Sequence, residues 1–179
     1  MRTYFLFFIG LLMSVLTLLS PLAAGQANPW VSVNDSVMGG VSTSSMTYTE
    51  QGLRFSGNVS LANNGGFASV RRVISLNLPD DHHLILTVAG DGNTYQLRFR
   101  TERGFDGVAY SASFDTKANT TTQHVFTLAD FKPVWRGRSV PNRPKLTWQD
   151  VIQMGFMLTD KQTGEFVLDI VDIDFKPTI

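Results

Sequence analysis

Short runs of alternating apolar and polar residues, each closed by Gly, Asn, Asp or Pro, recur along most of this chain and restrict it to few folds. Leu53, Phe55, Gly57 and Val59 alternate with Arg54, Ser56 and Asn58; Tyr95, Leu97 and Phe99 alternate with Gln96, Arg98 and Arg100. Val108, Tyr110, Ala112 and Phe114 continue the pattern, as do His124, Phe126 and Leu128, then Met154, Phe156 and Leu158. A period of two sends successive side chains to opposite faces, which suits half-buried antiparallel strands. Leu84 to Val88 reads as a strand buried on both faces, and Asp91-Gly92 reads as a tight hairpin turn into Tyr95. Thr163-Gly164 turns the chain into Phe166, Leu168 and Ile170. The apolar phase then flips to Val171, Ile173 and Phe175, so a bulge is predicted near Ile170-Val171. The one predicted helix is short, with Thr147 as N-cap and Asp150 three residues on. Many short strands with almost no helix predict an all-β fold, a β-sandwich of jelly-roll type.

The N-terminal segment has a different character. Arg2 precedes an uncharged apolar stretch from Tyr4 to Leu19, Ser20-Pro21 breaks it, and the small residues Ala23, Ala24, Gly25 and Ala27 follow. This is the tripartite layout of a secretory signal peptide, predicted over residues 1–27, with a single β-sandwich domain at 28–179. The expected location is periplasmic or secreted. The alternative is a domain anchored by an uncleaved N-terminal segment, since the stretch approaches the ~20 residues that span a bilayer. The chain has no cysteine, which excludes thiolate nucleophiles, iron–sulfur clusters and cysteine-based zinc sites. A domain of ~150 residues is large enough to fold around its own core without disulfides.

Fifteen basic residues balance fifteen acidic ones in the 179, so no general polyanion binding, and no nucleic-acid partner, is expected. His82-His83 follow Pro79-Asp80-Asp81 in what reads as an exposed turn, but neither spaced zinc pattern is present and no metal site is predicted. No nucleophile elbow occurs. Asp35, Glu50, Asp106 and Asp115 could supply paired carboxylates, but aspartates in turns are the simpler reading, so no catalytic residue and no cofactor is assigned. Asp169, Asp172 and Asp174 mark a solvent face or a charged edge strand. The glycine pairs Gly39-Gly40 and Gly65-Gly66 precede no helix and read as turns or close backbone approaches, not phosphate cradles.

Arg98 and Arg100 share a strand face with Gln96, and Arg71-Arg72, Arg103, Arg136 and Arg138 add further guanidinium groups. Together with Tyr95, Tyr110, Trp135 and Trp148 they fit either a recognition surface for carboxylates or sugars or a solvated sheet face covered by arginine stems. Asn34, Asn58 and Asn119 stand in N-glycosylation patterns that matter only in a eukaryotic secretory host.

Trp30-Val-Ser-Val-Asn-Asp35-Ser-Val-Met-Gly-Gly-Val-Ser42 resembles the opening block of the complex I intermediate-associated protein 30 family. Matching blocks follow in order: Gly65-Gly-Phe-Ala-Ser-Val-Arg71; Gly90-Asp-Gly-Asn-Thr-Tyr95 with Leu97 and Arg98; Tyr110; Phe131-Lys-Pro with Arg136-Gly-Arg138; Ile152 with Gly155-Phe; and Asp160-Lys-Gln with Gly164 and Phe166. The resemblance implies a galactose-binding-domain-like jelly roll and a non-enzymatic, assembly-factor-like module, since mitochondrial members help to build respiratory complex I. An export signal departs from that setting, so the partner implied is an unidentified protein, of a membrane or envelope complex at most, with carbohydrate as the alternative ligand. The matched positions Asp35, Met38, Gly39, Gly40, Gly66, Arg71, Asp91, Tyr95, Arg98, Arg136 and Arg138 are the candidate binding or fold-determining residues.

Overall fold

The computed structural model describes residues 28–178, and the predicted signal segment lies outside the described residues. Its strands are β1 (Val31–Ser32), β2 (Thr43–Thr49), β3 (Gly52–Val59), β4 (Ala68–Val73), β5 (His82–Gly90), β6 (Thr94–Arg100), β7 (Ala109–Asp115), β8 (Thr120–Phe126), β9 (Lys132–Trp135), β10 (Arg138–Ser139), β11 (Gln153–Leu158) and β12 (Gly164–Pro177). They form two antiparallel sheets, a seven-stranded one in the order β1-β4-β11-β6-β7-β9-β10 and a five-stranded one in the order β2-β3-β12-β5-β8. The architecture is the all-β jelly-roll sandwich that the alternation predicts.

The alternating residues meet between the sheets. Tyr95, Leu97 and Phe99 of β6 and Phe156 of β11 face Phe55, Leu86 and Leu168 of the other sheet, all with 1% or less of their surface exposed. Aromatic rings interlock edge to face through the core: Phe55 on Phe166 at 4.8 Å, Phe99 on Phe131 at 5.0 Å and Trp148 on Phe175 at 5.2 Å between centroids. Such geometry aligns the positive ring edge with a negative face and adds about 0.5–1.5 kcal/mol per pair beyond area burial.

The phase flip in β12 is a bulge. The pairing of β12 with β5 slips between Ile170 and Asp172, leaving Val171 outward while Ile170 and Ile173 both stay buried. β12 is central to its sheet, between β3 and β5, so its aspartates line a solvent face and not an edge; Asp169 pairs there with Arg54 at 2.7 Å.

Four local readings are corrected. Asp91-Gly92 does turn the chain, with Gly92 at φ 101°, but it carries β5 into the opposite sheet as β6 and so is no hairpin. Residues Leu84 to Val88 alternate buried and half-buried side chains instead of being buried on both faces. His82 and His83 are half-buried at the start of β5, with His82 against Asp81. The predicted helix is only a turn: Thr147 Oγ1 accepts the Asp150 N–H at 3.2 Å, and the chain then extends. Trp148, fully buried in this turn, donates its Nε1–H to the His82 carbonyl at 2.8 Å and is anchored by Asp80 accepting its backbone N–H.

Candidate functional site

On the face of the seven-stranded sheet turned away from the core lies an open cleft of about 830 Å3. Its floor follows from strand parity. Residues 68 and 70 of β4, 154, 156 and 158 of β11, and 95, 97 and 99 of β6 point inward and are buried. The intervening Ser69 and Arg71, Gln153, Gly155 and Met157, and Arg98 and Arg100 therefore line the cleft. Pairing register sets Arg71 opposite Gly155 on one side and Arg98 opposite the same glycine on the other.

The two walls are loops held from beneath. On the β1 side, the opening block forms a short 3-10 turn, Asp35–Met38, closed by Gly39 at φ 91°. The Asp35 side chain is fully buried and staples this turn to the next loop. It accepts the Ser42 N–H at 2.9 Å, the Gly66 N–H at 2.7 Å and the Phe67 N–H at 3.3 Å, as well as the Ser42 hydroxyl. Burial alone would raise its pKa, but the bonds from Ser42, Gly66 and Phe67 outweigh it and hold the carboxyl below its ordinary value. Gly40 and Gly65 are required by this staple, because a Cβ would stand 2.4 Å and 2.6 Å respectively from atoms of the carboxylate. The staple leaves Val37 and Met38 on the rim, 69% and 62% exposed.

The opposite wall is the loop between β6 and β7 with the β9–β10 hairpin. Arg71 donates through both terminal nitrogens to the Phe105 carbonyl at 3.1 Å, Arg100 donates to the Gly107 carbonyl at 2.8 Å, and Gln153 donates to the Glu102 carbonyl at 2.5 Å. The Phe105 ring, 73% exposed, lies 4.8 Å from the Arg71 guanidinium. Arg136 and Gly137, both at positive φ, form the two-residue turn of the hairpin. Arg136 docks this turn on Asp106 at 2.6 Å, where the Trp135 indole also donates at 3.0 Å.

Arg71, Arg98 and Arg100 crowd like charges, and among the described residues none of them forms an ion pair with a carboxylate. Burial and the neighbouring guanidinium groups pull Arg71 and Arg98 down to a pKa of about 10, and burial lowers Arg100 against the pull of Asp106 and Glu102. All three remain cationic at neutral pH.

Of the sequence-predicted residues, Met38, Gly66, Arg71, Arg98 and Arg136 line the cleft. Asp35, Gly39 and Gly40 build its wall from behind. Asp91 lies elsewhere, accepting the Tyr95 hydroxyl and the Val167 N–H, each at 2.9 Å, to tie the crossing turn to β12. Tyr95 is core, and burial followed by the Asp91 charge drives its pKa far upward. Arg138 is exposed on β10 and does not line the cleft. The aromatic part of the predicted recognition surface is corrected: Tyr95, Tyr110 and Trp148 are buried, and Trp135 does not line the cleft. Gly155, Met157 and Phe105 were not among the candidates; parity within β11 was the available signal for the first two.

A model of the family described as complex I intermediate-associated protein 30 matches residues 22–170. The chain belongs to the complex I intermediate-associated protein 30 family. No curated protein is significantly similar to it in sequence. Among solved structures, this family member resembles the family 11 carbohydrate-binding module of the cellulosomal cellulase Lic26A-Cel5E of Clostridium thermocellum, with a TM-score of 0.54 and 15% identity over 83% of this chain and 88% of that one. The family 11 module from the same organism in complex with a β-1,3-1,4-mixed-linked tetrasaccharide gives a TM-score of 0.53 and 14% identity, over 87% of this chain and 91% of that one. At these identities the likeness shows a shared jelly-roll fold.

Proposed function

We propose that this member of the complex I intermediate-associated protein 30 family is a non-catalytic binding module that takes a segment of a protein partner into the cleft, in an assembly-factor-like role outside the cytoplasm. The observation that carries this reading is the cleft's make-up: a floor of half-buried arginines without ion-pair partners among the described residues, between walls that expose Val37, Met38 and Phe105. Guanidinium groups that stay charged at neutral pH serve binding rather than proton transfer, and the carboxylate best placed in the wall, Asp106, is engaged by Arg136 and Trp135. Flexible Met38 beside branched Val37 suits irregular apolar side chains. The family supports a protein-complex role, and the layout of residues 1–27 supports export.

Site-directed photo-cross-linking tests it. A photoreactive residue at Phe105 is expected to trap a protein partner in the native cell, whereas one at Val125, 58% exposed on the other sheet, is not. Adducts equally abundant from Val125, or none from Phe105 and Met38, would overturn the reading.

A carbohydrate ligand is the second reading, favoured by the fold shared with carbohydrate-binding modules. Neutral sugars present ring faces that stack on exposed aromatic planes, and among the described residues the cleft exposes the Phe105 ring on its wall, beside Arg71, and none on its arginine floor. Binding of neutral β-glucan oligosaccharides, abolished by Arg98→Gln, would restore this reading.

A further inference from the structure

We infer that the gap over Gly155 is a carboxylate-binding subsite, and that the protein segment proposed above delivers an aspartate or glutamate side chain into it. The inference rests on that protein-partner reading and specifies its chemistry.

Three observations converge on the gap. Arg71, Gly155 and Arg98 form one row across β4, β11 and β6. Neighbouring strands are spaced about 4.8 Å apart, so two guanidinium-bearing residues flank a position with no side chain, roughly 10 Å from one Cα to the other. The position must also stay bare: a Cβ on Gly155 would stand 2.5 Å from the Val70 carbonyl oxygen and 3.0 Å from the Arg71 Cβ. Finally, neither arginine is neutralised by a carboxylate of the described residues, although Asp106 and Asp160 also line the cleft. Among the described residues Arg98 Nε is buried without a hydrogen-bond partner, and its Nη1 donates to the weak acceptor Met157 Sδ. Arg71 spends both terminal nitrogens on one neutral carbonyl.

An anion seated between them would supply the missing acceptors and relieve the like-charge repulsion, and the planar forks of arginine match the two oxygens of a carboxylate. The rim selects the source of that carboxylate. Val37, Met38 and Phe105 stand exposed around the charged floor. An acidic residue flanked by apolar ones satisfies both zones, whereas an acidic glycan would leave this apolar rim unused.

The test uses the full-length protein and immobilised peptides in which a central Glu, Asp, Gln or Asn is flanked by varied apolar residues, with oligogalacturonate in a parallel arm. Glu and Asp peptides are expected to bind at least about tenfold tighter than their amide counterparts, and to weaken as salt rises from about 0.1 to about 1 M. Arg98→Gln and Arg71→Gln should each erase the acid–amide difference. Met157→Glu, which places a carboxylate beside Arg98, should do the same, and circular dichroism checks that each variant is folded. Equal binding of acid and amide peptides, still sensitive to occupation of the cleft, would overturn the carboxylate subsite and leave the protein-partner reading standing. Binding of oligogalacturonate with no binding of any acidic peptide would overturn the inference together with that reading.

Discussion

Replacing Asp35 with asparagine tests whether a single buried carboxylate holds one wall of the cleft. Four donors converge on it: the Ser42 N–H and hydroxyl, the Gly66 N–H and the Phe67 N–H. An asparagine oxygen placed where Oδ2 now sits can keep three of them, but its NH2 then faces the Ser42 N–H, donor against donor. One buried donor without an acceptor costs about 1–3 kcal/mol, and the bonds that remain lose the charge that made them roughly twice as strong as neutral ones. The expected loss is about 3 kcal/mol, or about 6–12 °C in Tm for a domain of this size. The sign with pH follows from the lowered pKa of Asp35. Its stabilisation is complete above the ordinary value of 3.8 and is lost as pH falls through the lower folded-state value. Asparagine does not titrate. Urea unfolding should therefore show a gap between wild type and Asp35→Asn that is constant from about pH 7 to 5 and narrows below about pH 4. A gap under about 0.5 kcal/mol at pH 7, or one that stays constant down to about pH 2.5, would refute the staple.

Further outcomes are expected elsewhere in the fold. Gln162 acts as a substitute strand, accepting the Thr94 N–H at 2.7 Å and donating to the Thr94 carbonyl at 2.8 Å, so Gln162→Ala should cost about 2 kcal/mol in urea unfolding. Trp148→Phe should cost about 2–3 kcal/mol, because it leaves a void in the aromatic core and the His82 carbonyl without its donor. Deleting Val171 removes the extra residue of the bulge and leaves Ile170, Ile173 and Phe175 on one unbroken parity; the variant is expected to keep cooperative urea unfolding and to bind no more of the hydrophobic dye ANS than wild type.

Much of the scaffold was readable because alternation is a local property. The inward sets of β3, β6, β7 and β12 could be written down from parity, and so could the bulge, since Ile170 and Ile173 cannot both face the core without it. Destination was harder. The chemistry of Asp91-Gly92 demands a turn with a positive φ, yet hairpins and crossings between sheets share that demand. Thr147 likewise caps Asp150 as its spacing suggests, but burial of Trp148 and Val151 draws the chain into β11 before a helix can grow. The cleft was legible only in its ingredients. Arg98 and Arg138 are indistinguishable as residue types, and only position in the sheet sets one on the floor and the other outside. Gly155 carries no signal by itself, because its meaning depends on Arg71 and Arg98, which arrive from distant segments.

The bare position at Gly155 has a consequence for how such a site is inherited. Any side chain there must displace the Val70 carbonyl and strain the pairing of β11 with β4, so selection for a folded chain alone would preserve the opening. No such backbone contact guards Arg71 and Arg98: their replacement would relieve charge repulsion, and Arg71 would give up its bonds to the Phe105 carbonyl in the wall loop. Shape and charge are thus under separate pressures. Relatives that keep the glycine but have exchanged the flanking arginines would mark lineages in which the same scaffold has passed to a different ligand.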